Sequence, residues 1–561
     1  KGDQMKTAAG RKILTASLAL LLAFAACTGA AADGGLCING SLQPGGLAGL
    51  YAPGSGGLGQ LTGQRAYVLT GDGLTQLGGG DATVPEGDPE HLSVTDTIPL
   101  DYDKVRVALY YYAAESSIRN PTLEYANQEN EIGSGYDFGY YDSSRQFHAL
   151  GGTDETRITM VMDRTVTTPG GTVGCYHIRL RGTYDGFEEA AAAAGAYAGG
   201  FPAYYDGEFY ALAGEYESAS EAQSALDASG LDGEVFTASS RCVTVTRTAD
   251  AGILFEFDCG SELSLAVEPR GEDTLTWFKG YTYRGGFEYT RRDGGELTVI
   301  NVVDIEDYVK GVLPYEMSGS WPLEALKAQA MCARTYAASH FDSMSTYDCD
   351  VTNDTYSQVY RGTNASTSAT DAAVEATAGL YITYDGELID AMYCSSNGGG
   401  TEDSENVMAN AMPYLRGRID PYEAAADSLN SYSSWSKTLS GSAVAAAVNR
   451  YGYTLYDVVD IETELSPSGN VVGITLTDSA GREAGFTRNN CYIIASSALG
   501  LNSIRFDVSS SGGSFTFTGS GWGHNLGMSQ YGAYAMANTY GFTYDQIINF
   551  YFTGVALSRG V

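Results

Sequence analysis

One stretch constrains the fold of this chain more than any other: VLPYEMSGSWPLEALKAQAMCARTYAASH, at residues 312–340. Proline is tolerated in the first turn of a helix and a carboxylate is favoured there, so Pro322 and Glu324 predict a helix that runs to about His340. One stripe of this helix, at about 100° per residue, carries Leu323, Leu326, Ala330, Ala333 and Ala337. The sequence therefore predicts a helix that buries this stripe, with Lys327 and Arg334 beside it.

Glu316 precedes this helix, and we predict that it lies in a proline-flanked turn at a strand-to-helix junction. Cleavage of a glycosidic bond requires a carboxylic acid that protonates the leaving oxygen, and Glu316 is the candidate. Its aromatic and apolar neighbours, which would exclude water and favour the protonated form, are Tyr315, Met317 and Trp321. The alternative, which the pattern leaves open, is a structural Glu316 that caps a helix or pairs with Lys327 or Arg334.

A second carboxylate is not evident from spacing. The acidic residues weighed for that role are Asp304, Glu306, Asp307, Glu324, Asp350 and Glu402, and none has a spacing that forces it close to Glu316. A mechanism with one acid, in which a hydroxyl of the substrate captures the reacting carbon, therefore remains open.

Two histidines are candidates for other chemistry. His524 lies in the glycine-rich loop GSGWGHNLGMSQYG, which would let the backbone approach a ligand, although a structural histidine is the simpler interpretation. His340 and Cys349 are residue types that bind zinc, but two candidates nine residues apart are a weak signal. Phosphate-binding loops, G-x-S-x-G and H-E-x-x-H are absent from the sequence, which disfavours nucleotide hydrolysis, α/β-hydrolase and zincin chemistry.

The charge balance excludes one class of partner. The 561 residues include 32 Lys and Arg against 68 Asp and Glu, a formal net charge of −36. Such a chain repels phosphate backbones, so we expect no nucleic-acid partner.

The N-terminal residues indicate export. Lys6, Arg11 and Lys12 precede an apolar run and then small residues, which is typical of a signal peptide over residues 1–32. Cleavage after Ala32 would release the chain, whereas lipid attachment at Cys27 is the alternative that would tie it to a membrane. We therefore expect an extracytoplasmic protein, either secreted or associated with the cell envelope.

Patterning along the chain predicts an α+β fold built from several modules. After the signal peptide we expect a Gly-rich, partly disordered leader over 33–100, a β-rich module over 101–186 and a small α+β insert over 187–240. An α+β catalytic domain would occupy 241–561. The insert, in which Ser220 is the expected helix cap, resembles the SPOR domain, a module that binds peptide-stripped glycan strands; an ordinary α+β insert is the alternative.

The core motif VVDIEDYVKGVLPYEMSGSWPLEALKAQAMCARTYA resembles the SpoIID/LytB family, which includes stage II sporulation protein D and an amidase enhancer. Later segments agree in order with that family: DVTNDTYSQVYRG, AMYCSSNGGGTEDSENV, PYLRGRIDPYE, GWGHNLGMSQYGAYAMA and YDQIINFYFTG. The resemblance implies a SpoIID-like catalytic core in an extracytoplasmic lytic transglycosylase that cleaves denuded peptidoglycan strands.

The same resemblance implies roles for particular residues. Glu316 would be the catalytic acid, giving 1,6-anhydro ends without water. Residues implied to bind substrate or to orient the acid are Lys327, Arg334, Ser395, Ser396, Glu402, His524 and Gln530. Some members carry a Cys-Asp-x-x-His-Cys-Gln-like zinc cluster, but here Cys349-Asp350 is followed by Tyr356 and Ser357 before Gln358. We therefore expect no cofactor, with zinc the disfavoured alternative.

Two further hypotheses remain open. The first is a non-catalytic peptidoglycan-binding activator of an N-acetylmuramoyl-L-alanine amidase, and the second is a hydrolase of another polysaccharide. Peptidoglycan glycan strands and a cell-wall amidase are the partners these hypotheses imply.

Overall fold

The structure is a computed structural model that describes residues 67–70, 73–76, 87–111, 121–130, 133–292, 294–344 and 347–561. The predicted signal peptide, Cys27 and most of the predicted leader lie outside these residues. Among the described residues, no helix is both long enough and apolar enough to cross a membrane.

The chain divides into two compact units. The larger unit comprises the described residues of Ser93–Ala391 together with Ala556–Val561, and the smaller unit comprises Met392–Val555 together with the described residues up to Leu92. Both are strand-rich and mixed, which confirms the α+β class. The module boundaries expected from the sequence stay predictions.

Ten α-helices occur in the described residues: α1 Phe187–Ala194, α2 Ala219–Ser229, α3 Ile305–Glu316, α4 Leu323–Ser339, α5 Ser368–Ala376, α6 Ser404–Val407, α7 Gly441–Asn449, α8 Asn489–Ile493, α9 Gln530–Asn538 and α10 Tyr544–Tyr551. A 3-10 helix covers Glu423–Ala426, and a π-helical turn covers Ile494–Ala498.

The strands of the first half are β1 Tyr67–Thr70, β2 Gly73–Gln76, β3 Val94–Ile98, β4 Lys104–Tyr110, β5 Tyr125–Asn130, β6 Tyr136–Tyr141, β7 Phe147–Thr153, β8 Arg157–Met162, β9 Val166–Thr168, β10 Gly171–Val173, β11 Tyr176–Leu180, β12 Gly200–Tyr205, β13 Glu208–Tyr216, β14 Gly233–Phe236, β15 Val243–Arg247, β16 Ile253–Asp258, β17 Leu265–Pro269, β18 Thr276–Phe278 and β19 Tyr281–Tyr283.

The remaining strands are β20 Gly286–Arg291, β21 Leu297–Asp304, β22 Val351–Thr352, β23 Leu380–Tyr384, β24 Glu387–Leu388, β25 Tyr393–Cys394, β26 Trp435–Ser440, β27 Val458–Leu465, β28 Val471–Asp478, β29 Glu483–Thr487, β30 Phe506–Ser511, β31 Ser514–Gly519, β32 Met528–Ser529 and β33 Ala556–Gly560.

Three larger sheets organise the larger unit. Their strand orders are β14-β11-β13-β12-β16-β15-β8-β5-β18-β19, β22-β4-β21-β20-β17-β6-β7 and β24-β23-β33-β3. The smaller unit has the orders β26-β31-β30 and β27-β28-β29, a short pair β25-β32, and the hairpin β1-β2.

One end of the ten-stranded sheet is a β-α-β-β-α-β arrangement. The elements β11, α1, β12, β13, α2 and β14 follow in sequence, while their strands lie in the antiparallel order β14-β11-β13-β12, as in ferredoxin-like units. This arrangement includes β11, which precedes the expected start at residue 187. The cap of α2 is Ser218, whose side chain accepts a hydrogen bond from the Glu221 N–H, and not Ser220 as the sequence suggested.

The helix expected from Pro322 is confirmed as α4, but its surroundings differ from the expectation. Leu323 is 44% exposed because it begins the helix, whereas Leu326, Ala330, Ala333 and Ala337 are buried. The residues before it do not continue as a strand, since β21 ends at Asp304 and α3 begins at Ile305. Glu316 is thus the last residue of a helix, not part of a strand-to-helix turn.

Candidate active site

Helix α3 places Glu316, and local chemistry explains the helix. The Asp304 side chain accepts hydrogen bonds from the N–H groups of Glu306 and Asp307, which caps the helix start. A proline lies inside the last turn, at Pro314, and it cannot donate to the carbonyl of Lys310 four residues earlier. The Ser366 hydroxyl donates to that carbonyl at 3.2 Å, which compensates for the missing bond.

The Glu316 side chain is half-buried and is held from a distant part of the chain. The Val359 N–H donates to Glu316 Oε1 at 3.3 Å. Tyr308, eight residues earlier in the same helix, donates from its hydroxyl to Gln358 Oε1 at 2.9 Å. Burial raises the pKa of Tyr308 well above its usual value, and the nearby Glu316 carboxylate adds to that shift. The Val359 N–H therefore holds the Glu316 carboxylate from outside the helix.

Half-buried tyrosines and one arginine lie around Tyr315, the residue that precedes Glu316. Arg361 donates from Nη1 to the Tyr281 hydroxyl at 2.7 Å, and its guanidinium lies 5.5 Å from the centre of that ring. Burial raises the pKa of Tyr315, next to Glu316, and the nearby Tyr281 adds to this, while Arg361 opposes it. The pKa of Tyr110 is raised in the same way: burial is the main cause, Tyr281 adds to it and Arg361 opposes it. These three tyrosines and Arg361 form what we call the tyrosine rim.

Of the two cations predicted near Glu316, Lys327 lies on α4 with its side chain mostly covered. Its Nζ donates to Glu324 Oε1, one helical turn earlier, at 2.7 Å. Its role in substrate binding stays a prediction.

Arg334 is fully buried and holds elements together. Its Nε and Nη2 donate to Glu306 Oε1 and Oε2 at 2.9 and 2.5 Å, and the guanidinium also contacts the Val374 and Leu380 carbonyls and the Thr377 hydroxyl. These contacts join α3, α4, α5 and β23. They favour a structural role, and the alternative pairing of Arg334 with Glu316 is not what the structure shows.

The other predicted site residues lie in the smaller unit. Ser396 is fully buried and donates to Glu423, which also accepts from the Asn397 and Gly398 N–H groups at 3.0 Å and from the Ser529 hydroxyl at 2.5 Å. Burial and the neighbouring Asp420 raise the pKa of Glu423 to about 7. Sequence reasoning did not single out Glu423, although it is the last residue of the PYLRGRIDPYE motif and its carboxylate binds the SSNGGG loop.

Glu402 is also buried in the smaller unit. Its oxygens accept hydrogen bonds from the Ser466 and Ser468 hydroxyls, the Asp403 N–H and the Asn406 amide at 2.6 to 3.1 Å. The carboxylate therefore joins the loop after Gly400 to the β27–β28 turn.

His524, Gln530 and Ser395 differ in exposure. His524 and Gln530 are each 7% exposed, while Ser395 is half-buried. His524 Nδ1 accepts from the Leu526 N–H at 3.0 Å, and burial lowers the pKa of His524 to about 4, partly opposed by a backbone bond. Ser395 accepts through its carbonyl from the Tyr531 N–H. The buried His524 and Gln530 are suited to holding the glycine-rich loop in place. Ser395 is the more accessible candidate for substrate binding.

A cavity of about 390 Å³ opens in this unit, lined by residues that include Gly398, Asp420, Glu423, Asp427, Arg505 and Ser520. Its rim includes the glycine-rich loop that the sequence singled out. The structure thus brings Ser396 and Glu423 together near one cavity, and places Glu316, Lys327 and Arg334 in the larger unit.

The zinc cluster that the resemblance raised does not fit these residues. Both oxygens of Asp350 are taken, by the Arg145 guanidinium at 2.6 and 2.7 Å and by the Arg106 and Asp342 N–H groups at 2.8 Å. Ser357 Oγ accepts from the Thr352 N–H at 3.1 Å. A carboxylate with four donors offers no lone pair that is free for a metal, so we derive no step through zinc at this position.

The fold and this geometry define a strand-rich α+β protein whose candidate acid is a single glutamate at the end of a helix. The family model described as SpoIID, stage II sporulation protein, matches residues 293–384, which include Glu316 and Arg361. The chain belongs to the SpoIID/LytB family.

Three relatives show the extent of the similarity. Stage II sporulation protein D of Bacillus subtilis is 30% identical over 46% of this chain and 75% of its own length. An uncharacterized protein of Brachyspira hyodysenteriae is 35% identical over 46% of this chain and 68% of its own length. The amidase enhancer of Bacillus subtilis is 33% identical over 45% of this chain, and the match spans 40% of that protein.

Proposed function

We propose that this chain is an extracytoplasmic lytic transglycosylase that cleaves denuded peptidoglycan between N-acetylmuramic acid and N-acetylglucosamine, with Glu316 as its acid. The observation that carries the proposal is the placement of Glu316: it is half-buried, is held by the Val359 N–H, and directly follows Tyr315 of the tyrosine rim. Family membership supports a role at the cell wall. The pairing of Arg334 with Glu306 supports the proposal further, because it means that the buried guanidinium of Arg334 is not the partner of Glu316.

One carboxyl group suffices for the reaction. Protonated Glu316 donates its proton to the bridging oxygen as the bond from that oxygen to C1 of the muramic residue breaks. The resulting carboxylate then takes the proton of the muramic C6 hydroxyl while that oxygen bonds to C1. The products are a 1,6-anhydro end and a free hydroxyl on the leaving sugar, with Glu316 protonated again and no water consumed.

The tyrosine rim provides contacts of the kind that a glycan strand requires. Aromatic faces such as those of Tyr281 and Tyr315 pack against sugar rings, and their hydroxyls supply polar contacts. When the stem peptide has been removed, each muramic residue carries a free carboxylate, which is the group that a guanidinium binds best. We propose that Arg361 binds this carboxylate and that Lys327 is a secondary contact. The role of Ser395, in the smaller unit, stays a prediction.

The test uses purified full-length chain and two matched substitutions. Glu316→Gln keeps the size of the side chain and removes the proton it would transfer, whereas Glu375→Gln changes an exposed carboxylate that pairs only at the surface with Lys310. Denuded glycan strands are incubated with each protein and the products are measured by mass spectrometry. Wild type and Glu375→Gln should give anhydro-muramic ends, and Glu316→Gln should give at least a thousandfold fewer.

Two other outcomes would decide against this proposal. Reducing ends in place of anhydro ends would identify a hydrolase. Equal product from Glu316→Gln and wild type would place the acid elsewhere.

A second candidate function is activation of a cell-wall amidase, favoured by the 33% identity to a protein named amidase enhancer. In this case the chain would bind peptidoglycan without cleaving it and raise the rate of an added N-acetylmuramoyl-L-alanine amidase. Glycan binding and amidase stimulation that persist in Glu316→Gln, with no anhydro ends from any variant, would support this function instead.

A further inference from the structure

Three metal-ligating side chains converge in the ten-stranded sheet, and the proposed function uses none of them. Asp163 follows β8, His177 lies in β11 and Glu256 lies in β16; one ligand atom from each lies within 4.8 Å of the other two. Within the part of the chain that the structure describes, this is the one group of three such residues with that spacing. The site requires a curved sheet, because β11 and β16 are three strand spacings apart, about 14 Å along a flat sheet.

The orientation of His177 is the one that metal-binding histidines adopt. Its Nδ1 lies 2.9 Å from the Gly214 carbonyl oxygen, which can only accept, so Nδ1 carries the proton. The second nitrogen, Nε2, faces the carboxylates and lies 2.9 Å from Glu256 Oε1, so a bound cation would take the place of the proton that links these two atoms. A backbone carbonyl that fixes the tautomer in this way is the usual outer partner of a ligating imidazole.

The cluster is buried and sets two carboxylates against one imidazole. His177 is fully buried, and its Nε2 lies 2.9 Å from Glu256 Oε1, although the angle is poor for a hydrogen bond. The Asp163 carboxylate completes the group, within 4.8 Å of both partners. Two carboxylates that face one buried imidazole favour a divalent cation, which would neutralise both of them.

The surrounding side chains orient the ligands and do not neutralise them directly. The Tyr205 hydroxyl donates to Glu256 Oε2, and the Thr244 hydroxyl lies 3.3 Å from Oε1. The neighbouring guanidinium, Arg291, directs its hydrogen bonds to the backbone carbonyls of Asp163, Cys242, Gly294 and Gly295. The two carboxylates therefore keep lone pairs that face the imidazole.

We propose that Asp163, His177 and Glu256 bind a divalent transition cation of the zinc class. One imidazole nitrogen with two carboxylate oxygens suits Zn²⁺, and three protein ligands leave a fourth position for water. Asp163 is half-buried, which gives the ion a route from solvent.

The ion would serve as a structural crosslink. His177 belongs to the β-α-β-β-α-β arrangement, whereas Asp163 and Glu256 belong to the adjoining strands, and the two parts of the sheet otherwise pair through only three residue pairs between β12 and β16. A shared metal would fix this junction, because its three ligands come from both sides of it.

The test uses the full chain freed of metal by a chelator, and the probe is ZnCl₂ alone. We expect calorimetry to show one Zn²⁺ per chain that excess Mg²⁺ does not displace, and the urea midpoint of unfolding to rise with Zn²⁺ concentration. Asp163→Asn is the variant of choice because Asp163 is the half-buried member of the three, and Asn keeps its size, so the chain should fold. Its Zn²⁺ affinity should fall at least tenfold, while Asp154→Asn, at an exposed carboxylate, should leave affinity unchanged.

A second readout is the visible absorption of Co²⁺, which should appear on the wild-type chain and be lost in Asp163→Asn. Binding that survives Asp163→Asn, or that excess Mg²⁺ abolishes, would show only surface association with an acidic chain and would overturn the proposal. No binding at all would identify the cluster as a buried ion pair of protonated His177 with Glu256, which overturns it equally.

Discussion

Arg334 Nε donates to Glu306 Oε1 at 2.9 Å, and Nη2 donates to Oε2 of the same carboxylate, so one bidentate pair joins helix α4 to the start of helix α3. The guanidinium is fully buried while the carboxylate is 26% exposed. Removing one partner of a buried pair leaves the other without compensation. This pair therefore fixes α4 against α3, the helix that ends at Glu316.

We predict that Arg334→Met lowers the free energy of unfolding by about 3 kcal/mol, because the Glu306 carboxylate and two backbone carbonyls each lose a guanidinium donor. Arg157→Met is the matched control, since Arg157 forms an exposed pair with Glu129 and should cost less than about 0.5 kcal/mol. Urea unfolding followed by circular dichroism measures both. Wild-type stability in Arg334→Met together with lost glycan affinity would instead assign Arg334 to substrate binding.

Arg361→Gln should raise KM for denuded glycan roughly 10- to 100-fold with little change in kcat, because a charge-assisted bond present throughout the reaction is lost. Arg181→Gln, at an exposed arginine paired with Asp232, should not change KM. The effect should vanish on strands whose muramic carboxylates are amidated. A loss in kcat alone would show that Arg361 acts on the transition state and not on the carboxylate.

Gly362→Ala should destabilise the chain by about 1–3 kcal/mol. Gly362 has φ +63°, and an added Cβ would lie 2.0 Å from the Thr282 carbonyl oxygen, so the backbone beside Arg361 must move. Gly230→Ala measures the cost of the left-handed backbone conformation alone, since Gly230 has φ +70° and an added Cβ there would meet nothing within 4 Å. Thermal unfolding should therefore show the larger loss for Gly362→Ala, and equal losses would refute the steric explanation.

His524 gives stability a defined pH dependence. Its folded pKa of about 4 lies below the usual 6.5, so the unfolded chain binds a proton first as pH falls. The stabilising contribution is complete above pH 6.5 and is lost progressively towards pH 4, by at most about 3 kcal/mol. Glu423, with a folded pKa of about 7, acts with the opposite sign, since its stability contribution falls as pH rises from about 4.5 to 7.

His524→Asn separates these two contributions, because an asparagine oxygen can still accept from the Leu526 N–H but does not titrate. The free energy of unfolding, measured with urea at pH 7 and pH 4.5, should fall more between these two pH values for wild type than for His524→Asn. An identical loss in both proteins would contradict the assigned shift.

Sequence reasoning was most successful where the signal is local. Pro322 and the spacing of Leu326, Ala330 and Ala333 predicted α4 nearly to its ends. It was wrong at α3, because Pro314 suggested a turn. Asp304 as a cap, with Glu306 and Asp307 in the first turn, is a helix signal that was given less weight than the proline. That helix survives its proline because Ser366, 56 residues from Lys310, satisfies the freed carbonyl.

The sequence by itself determined the α+β class, helix α4 and, through its motifs, the family and the candidate acid. Only the tertiary structure decided that Arg334 pairs with Glu306, that the Val359 N–H donates to Glu316, and that Asp163, His177 and Glu256 meet. The reason is physical: helix periodicity and capping act within about four residues along the chain, whereas these partners are 14 to 93 residues apart and meet only through the packing of helices and the curvature of a sheet.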